Sequence, residues 1–224
     1  MATVVLSSLA LKGVLEKFQS QFETAVGPLD LRFDATQAIL VQLAQGARAD
    51  LVVLTAVAME ELRQLGKVTD VRALGSSGVG LAVRAGAPKP DIGSVDALVR
   101  ALSSAASVAH SKRGASGLYF SELLERLKIK LRKRVLVEKG PVGLVVASGE
   151  ADIGVQQLCE LAPVAGIEIV GPLPAPLQVT TLFSAGIPAG AARPEAARAL
   201  LDLLRSDASR AGMAASGMEP AAGQ

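Results

Sequence analysis

Gly46-Ala47-Arg48-Ala49-Asp50-Leu51-Val52-Val53-Leu54 decides the fold, because the chain repeats its pattern in Gly149-Glu150-Ala151-Asp152-Ile153-Gly154-Val155. Each copy has a glycine that ends a helix-like segment, an Ala-Asp turn and a short apolar run. Glycine often ends helices because it accepts a left-handed backbone. A short apolar run after such a turn is typical of a buried parallel strand. One copy is common in α/β proteins, but two copies predict two similar lobes with a ligand cleft between them.

Composition supports an α/β class and excludes several functions. Half of the 224 residues are hydrophobic, only 3% are aromatic, and tryptophan is absent. Such a core suits helices packed on parallel strands better than an all-β sandwich. The net charge of +2 is too small to indicate a nucleic-acid partner. The single cysteine, Cys159, excludes an internal disulfide and any multi-cysteine metal site, and its apolar neighbours predict a buried thiol.

Strands and helices alternate along the first third of the chain. The predicted strands are 4–6, 29–33 and 51–54, and the predicted helices are 9–22, 38–45 and 59–65. This βαβ pattern is typical of a parallel sheet. Further on, the pattern predicts a strand over 107–110, helices over 95–104, 118–127, 142–148 and 194–204, and a partly frayed end over 211–224.

Two more apolar runs, Leu81–Arg84 and Val179–Phe183, predict strands that cross between the lobes. Lobe one then comprises 1–82 and 180–224, and lobe two comprises 83–179. Two crossing strands form a hinge that allows closure around a ligand; the alternative is one continuous doubly wound sheet. The predicted fold is therefore α/β, with two Rossmann-like lobes and a hinge of two crossing strands.

Hydroxyl side chains stand at three strand-to-helix junctions: Ser7 with Ser8, Thr36, and Ser116 with the nearby Ser111. Helix N-termini expose unpaired N–H groups and the positive end of the peptide dipole, so they bind anions readily. In parallel α/β units these junctions lie at the carboxyl ends of strands, where clefts open. The alternative is that these residues are ordinary N-caps without a ligand.

The loop Lys112-Arg113-Gly114-Ala115-Ser116-Gly117 is the best single candidate for an anion site. Its glycines allow close backbone approach, and the planar guanidinium of Arg113 can bind a carboxylate or an oxyanion. Gln156 and Gln157 follow the second-lobe strand, where amides suit an oxygen-rich ligand; a solvated strand end is the alternative. The predicted ligand-binding residues are therefore Ser7, Ser8, Thr36, Arg113, Ser116, Gln156 and Gln157.

Hydrolytic motifs are absent from the sequence. The only histidine, His110, has no paired nucleophile motif and is interpreted as a strand-end residue. The basic run Lys128–Arg134 is interpreted as a solvated face, since no aromatic residues are interleaved with it. The sequence predicts no metal, no cofactor, no membrane span and a monomer. Without a visible leader we expect a cytoplasmic protein, or a periplasmic one if a leader has been removed.

The hydroxyl junctions and the repeated phrase resemble the molybdate-binding-protein family of class II periplasmic solute-binding proteins. The resemblance spans roughly residues 3 to 210 and includes Phe33-Asp34-Ala35-Thr36-Gln37-Ala38-Ile39 and Gly149–Gln157. Members of that family hold a tetrahedral oxyanion between two lobes with hydroxyl and backbone N–H groups. The resemblance therefore implies that Ser7 or Ser8, Thr36 and Ser116 contact the ligand.

One branch of this family is a better match in two segments. Gln157 stands where typical molybdate binders have a tyrosine, and Gly154–Gln157 and Val170–Ala175 are similar to a divergent branch that resembles aconitate isomerase. That resemblance implies an enzyme that moves a double bond in a small tricarboxylate.

Three functions stay open at this point. The first is a solute-binding protein that closes on a small anion, either a tetrahedral oxyanion or a polycarboxylate, and delivers it to an ABC transporter permease. The second is a tricarboxylate isomerase, which needs a base and an acid for a 1,3 proton shift. Its catalytic residues are unknown, although Lys12, Asp34, Glu138 and Lys139 are candidates. The third is a cytoplasmic anion sensor.

Overall fold

The structure is a computed structural model that describes residues 1–222. The chain folds into two compact units: unit 1 is Met1–Ser76 with Thr181–Gln224, and unit 2 is Ser77–Thr180. In chain order the elements are β1 (Thr3–Ser8), α1 (Lys12–Lys17), α2 (Gln19–Val26), β2 (Leu29–Asp34), α3 (Thr36–Ala44), β3 (Leu51–Thr55), α4 (Ala56–Gln64), β4 (Val68–Arg84), α5 (Val95–Ser104), β5 (Val108–Ser111), α6 (Ala115–Arg126), β6 (Arg134–Val137), α7 (Val142–Ala147), β7 (Ile153–Gln157), α8 (Leu158–Leu161), β8 (Ile167–Pro172), β9 (Thr180–Pro188), α9 (Pro194–Leu204), α10 (Asp207–Ala215) and β10 (Glu219–Pro220).

The two units have the same strand arrangement. In unit 1 the order is β2-β1-β3-β9-β4, with β1 parallel to both β2 and β3, and β9 antiparallel to β3. In unit 2, β5 is parallel to both β6 and β7, and the final part of β4 is antiparallel to β7. Each unit is therefore a three-stranded parallel sheet extended by an antiparallel strand. The chain enters unit 2 within β4 and returns to unit 1 at the start of β9.

The two aspartates of the repeated phrase explain why the sequence repeats. The Asp50 carboxylate accepts a hydrogen bond from the Val4 backbone N–H at 2.9 Å, at the start of β1. The Asp152 carboxylate accepts one from the Ser107 N–H, also at 2.9 Å, just before β5. In each unit the aspartate thus ties the start of the third parallel strand to the start of the first. This bond satisfies a backbone donor that the parallel ladder leaves unpaired.

Apolar side chains from strands and helices form the core of each unit. In unit 1, Leu6 and Val52 pack with Ile39 of α3 and Met59 of α4. In unit 2 the larger cluster lies between β4, β5 and β7 and the helices α5 and α6, with Phe120 fully buried. A smaller cluster under α7 contains Ala109 and Val142. A strand that is covered on both faces is typically a continuous apolar run, as Leu51–Leu54 of β3 is.

Several element predictions need correction. The helix predicted over 9–22 is a 3-10 turn followed by α1 and α2, which are separated at Phe18. Strand β4 begins at Val68, thirteen residues before Leu81, where the predicted strand starts. β6 and β8 lie where no strand is predicted. The predicted frayed end contains part of α10 and all of β10, while residues 223 and 224 lie outside the described residues. Residues 77–82, predicted in lobe one, belong to unit 2 because Val79–Val83 pair with β7.

Candidate ligand-binding site

In unit 1 the predicted hydroxyl residues meet at the carboxyl edge of the sheet. Ser7 and Ser8 are the last two residues of β1, and both are buried. Thr36 begins α3, just beyond the end of β2, and its Oγ1 accepts a hydrogen bond of 3.3 Å from the N–H of Thr55 at the end of β3. Because β1 lies between β2 and β3, the Thr36 side chain reaches across the edge at which Ser8 ends.

The Ser8 hydroxyl is buried without a hydrogen-bond partner. The residue is 3% exposed, and its Oγ contacts no donor or acceptor among the described residues. The Ser7 Oγ, in contrast, donates to the Ser8 carbonyl oxygen at 2.9 Å. A buried hydroxyl without a partner costs roughly 1–3 kcal/mol in proteins. Such a group at a strand end is therefore an expected ligand donor.

The repeat supplies an internal comparison for Ser8. Val5 pairs with Leu51, and Val108 pairs with Ile153, so the register places Ser8 of β1 and Ser111 of β5 at equivalent positions. The Ser111 Oγ accepts a hydrogen bond of 2.8 Å from the Gly114 N–H in front of α6. The same position is therefore satisfied internally in unit 2 and left open in unit 1.

The alternative that the predicted hydroxyls are ordinary helix caps does not fit the geometry. Ser94 and Ser206 do cap helices, since each side chain accepts a hydrogen bond from the backbone N–H three residues later. No side-chain cap bond is present at the start of α3 or α6. Thr36 and Ser116 lie within the first turn of these helices, and the first N–H groups there lack a side-chain acceptor.

In unit 2 the loop after β5 places Arg113 and Ser116 at the carboxyl edge. Ser116 is buried in the first turn of α6, which begins three residues earlier than predicted, whereas Arg113 is exposed. A Cβ on Gly117 would lie 1.8 Å from the Ser111 carbonyl oxygen. This glycine therefore permits close packing of α6 against the end of β5, a structural reason that the sequence analysis did not give.

Gln156 and Gln157 are the last two residues of β7 and not, as predicted, residues that follow the strand. Both are buried. The Gln156 Oε1 accepts a hydrogen bond of 2.8 Å from the Val142 N–H at the start of α7, and its Nε2 donates to Glu160 of α8. The Gln156 amide thus links two helices at the end of the strand.

Glu160 is a candidate residue that the sequence analysis missed. It lies in α8 next to the end of β7, and it is only partly exposed. Burial raises the pKa of this carboxyl from 4.5 to about 7, and the hydrogen bond from Gln156 opposes that rise. The sequence does contain a signal that could have identified Glu160. It is an acidic residue among the apolar residues of Leu158–Leu161, directly after two glutamines.

His110 has a structural place in unit 2, as predicted. It is fully buried, and its ring packs edge-on against Phe120 with the ring centroids 5.3 Å apart. The Arg134 Nε donates to the His110 Nε2 at 2.7 Å, and the Nδ1 lies 2.9 Å from the Ser111 carbonyl oxygen. Burial, followed by the charge of Arg134, lowers the pKa of His110. The ring is therefore neutral and carries its proton on Nδ1.

The four base candidates named from the sequence are engaged elsewhere or exposed. Lys12 forms an ion pair with Glu16. The Asp34 carboxylate accepts hydrogen bonds from the Ala35 N–H and from Gln42. Glu138 is paired with Lys112 at 2.6 Å, and Lys139 is exposed. Cys159 is buried, as predicted, and burial raises the pKa of its thiol to about 12.

The strand order and the polar strand ends define a class: the mixed α/β fold of periplasmic binding proteins. Residues 3–219 match the family model of bacterial extracellular solute-binding proteins. The chain is 40% identical to an aconitate isomerase of Pseudomonas sp over 98% of this chain and 88% of that protein. The chain therefore belongs to the bacterial extracellular solute-binding protein family.

Solved structures agree on the fold. The periplasmic molybdate-binding protein of Azotobacter vinelandii superposes with a TM-score of 0.78 at 21% identity, over 99% of this chain and 100% of that chain. The sulfate-binding protein SubI of Mycobacterium tuberculosis gives 0.71 at 17% identity, over 98% of this chain and 87% of that one. These matches confirm the resemblance stated from the sequence. Within the described residues, no helix is long and apolar enough to cross a membrane.

Proposed function

We propose that this protein binds a small anion at the strand ends that carry the predicted hydroxyl and amide residues, and that the anion is a polycarboxylate. The observation that carries the proposal is the buried Ser8 hydroxyl, which has no partner among the described residues although the equivalent Ser111 is satisfied. An anion has only acceptor atoms, so it suits a hydroxyl with a free proton.

Neutral donors in each unit support the binding of an anion. The first turns of α3 and α6 carry Thr36 and Ser116 and have no side-chain cap. Their backbone N–H groups and helix dipoles favour negative charge. Gln157, at the end of β7, adds an amide in unit 2, and Gln156 holds the start of α7 beside it. We assign Gln156 to positioning and the other predicted residues to ligand contact.

The identity to an aconitate isomerase, and not Arg113, favours a polycarboxylate over a tetrahedral oxyanion. The Arg113 side chain is exposed, and no ion pair within residues 1–222 includes it. A guanidinium makes paired hydrogen bonds with a carboxylate or with a tetrahedral oxyanion such as phosphate, so Arg113 suits either class of ligand. The 40% identical relative is an aconitate isomerase, and aconitate carries three carboxylates. The oxyanion alternative has support from molybdate- and sulfate-binding neighbours, which share the fold at low identity.

Family membership suggests how the bound anion is used. We propose that the protein acts outside the cytoplasm as a monomer and delivers the anion to an ABC transporter permease, as a solute-binding protein does. The second candidate function is isomerisation of a small tricarboxylate, and two observations favour it. One is the identity to an aconitate isomerase, and the other is the partly buried Glu160 carboxyl at the end of β7.

A thermal-shift panel of molybdate, tungstate, sulfate, citrate, cis-aconitate and trans-aconitate tests the proposal. A ligand at one hundred times its Kd adds about 2.7 kcal/mol to the unfolding free energy, which is easily detected. We expect the tricarboxylates to stabilise the protein and Arg113→Ala to weaken that effect. Stabilisation by molybdate or tungstate alone would replace the polycarboxylate with an oxyanion. No shift with any anion would contradict anion binding. Proton NMR of the stabilised samples then tests for isomerisation.

A further inference from the structure

We propose that Glu160 is the proton-transfer residue of the tricarboxylate isomerisation, and this inference rests on the second candidate function. The juxtaposition that points to it is a carboxyl, two glutamines and the end of a parallel strand. His110 of β5 pairs with Val155 of β7, so the next residues along the two parallel strands, Ser111 and Gln156, lie side by side. Glu160 therefore lies beside the same carboxyl edge as the proposed anion contacts of unit 2.

One hydrogen bond holds the Glu160 carboxyl, and a second holds its partner, Gln156, in place. The Glu160 Oε2 accepts from the Gln156 Nε2, and the Gln156 Oε1 is held in turn by the Val142 N–H at 2.8 Å. The backbone of α7 thus orients the Gln156 amide. This amide bonds only one oxygen of the Glu160 carboxyl, Oε2, and does not bond Oε1. A base must be held in place and still have a free oxygen for the substrate proton.

Among the described residues, burial and the hydrogen bond from Gln156 are the causes that shift the pKa of Glu160, and no cation contributes. α8 packs against β7, α7 and β8, and the Cys159 N–H donates to the Ser77 Oγ of β4 at 3.2 Å. Neither β7 nor α7 has a titratable side chain, and the only one on β8, Glu168, is paired with Lys89. The neighbouring thiol of Cys159 stays protonated. Burial then brings the pKa of Glu160 to about 7, and a general base works best when its pKa lies near the operating pH.

The chemical step balances with this one residue. The Glu160 carboxylate takes a proton from the methylene carbon of aconitate, and the electrons of that C–H bond form a new C=C bond. The electrons of the former C=C bond then take the same proton from the Glu160 carboxylic acid at the distal carbon. One C–H bond breaks and one forms, the double bond moves by one position, and no oxidant or cofactor is consumed.

The test follows the conversion of trans-aconitate to cis-aconitate by proton NMR for the wild type, Glu160→Gln and Glu160→Asp. Glutamine keeps an acceptor for Gln156 but cannot take a proton, so we expect turnover to fall about 10²- to 10⁴-fold. Calorimetric affinity for trans-aconitate should stay within threefold. The control is Glu150→Gln, since Glu150 is exposed and bonds Ser148; its turnover should match the wild type. The pH profile of the wild type should show a limb near pH 7 that disappears in the glutamine variant.

The outcomes separate the inference from the function on which it rests. No turnover by the wild type would overturn the isomerase function, and the Glu160 assignment with it. Turnover by the wild type and by a folded Glu160→Gln at similar rates would overturn only the assignment. If the glutamine variant does not fold, Glu160→Asp decides. Aspartate keeps the titrating group with a shorter side chain, so a pH limb unchanged in position and a rate within threefold of the wild type would contradict the proposal.

Discussion

Replacement of Ser8 by alanine should make the free protein more stable and its ligand binding weaker. Ser8 is 3% exposed, and its Oγ has no hydrogen-bond partner in residues 1–222. Removal of this hydroxyl therefore relieves a desolvation cost of about 1 kcal/mol. In a protein of this length that gain raises Tm by roughly 2–4 °C. A hydrogen bond to a charged ligand contributes about 1.5–3 kcal/mol. The affinity for the anion should therefore fall about 10- to 100-fold.

The chain offers a matched control at the opposite end of the same strand. The Thr3 Oγ1 is also buried without a partner, but Thr3 begins β1 whereas Ser8 ends it. Thr3→Val replaces the hydroxyl with a methyl group of similar size. It should raise Tm to a similar extent and leave the affinity unchanged, because the amino end of the strand takes no part in the proposed site.

Differential scanning fluorimetry without ligand and calorimetry with trans-aconitate measure both quantities on both variants. The opposite signs of the two effects in Ser8→Ala distinguish a ligand contact from a core residue. If Ser8→Ala and Thr3→Val both bind the anion as tightly as the wild type, the reasoning that links the unpartnered Ser8 hydroxyl to a ligand is refuted.

Three further changes test the local structure. Gly117→Ala should destabilise the protein by about 3 kcal/mol in urea denaturation, because its Cβ would lie 1.8 Å from a carbonyl oxygen. Gly190→Ala is the control, since a Cβ there meets nothing within 4 Å, and its unfolding free energy should change little. Equal losses of unfolding free energy in the two variants would contradict the close approach at Gly117. Cys159 should resist thiol reagents at pH 8 until the protein unfolds, because burial raises its pKa to about 12; rapid labelling of the native protein would contradict its burial. Since the pKa of Glu160 is raised from 4.5 to about 7 in the folded state, the stabilising effect of its proton is complete below about pH 4.5 and is lost as the pH rises through 7. The unfolding free energy of Glu160→Gln relative to wild type should therefore rise between pH 5 and pH 8, and a constant difference would place that pKa elsewhere.

The repeated phrase predicts much of the fold because its residues act locally. The glycines at 46 and 149 adopt the positive φ that ends a helix, and Asp50 and Asp152 bond the first strand of each parallel pair. The strands that the sequence analysis missed lack this kind of signal. β6 follows a run of basic residues, and β8 lies at the edge of the unit 2 sheet with every side chain at least partly exposed.

The site was predictable only where a side chain ends a strand or begins a helix. Ser7, Ser8 and Thr36 follow from the βαβ pattern and lie at one edge in the structure. Glu160 does not follow from the pattern, because its significance depends on the bond with Gln156 and on burial by other elements. The partnerless state of Ser8 likewise depends on the absence of a nearby N–H of the kind that satisfies Ser111.

A crystal structure with the anion that gives the largest thermal shift tests the central claim most directly. We predict that anion oxygens lie within about 3 Å of the Ser8 Oγ, the usual length of a hydrogen bond. Unit 1 also contains a pocket of about 430 Å³ beside the start of β4 and the end of β9, with Arg48 and Lys67 in its lining. An anion bound there, with the Ser8 hydroxyl still unpartnered, would contradict the account.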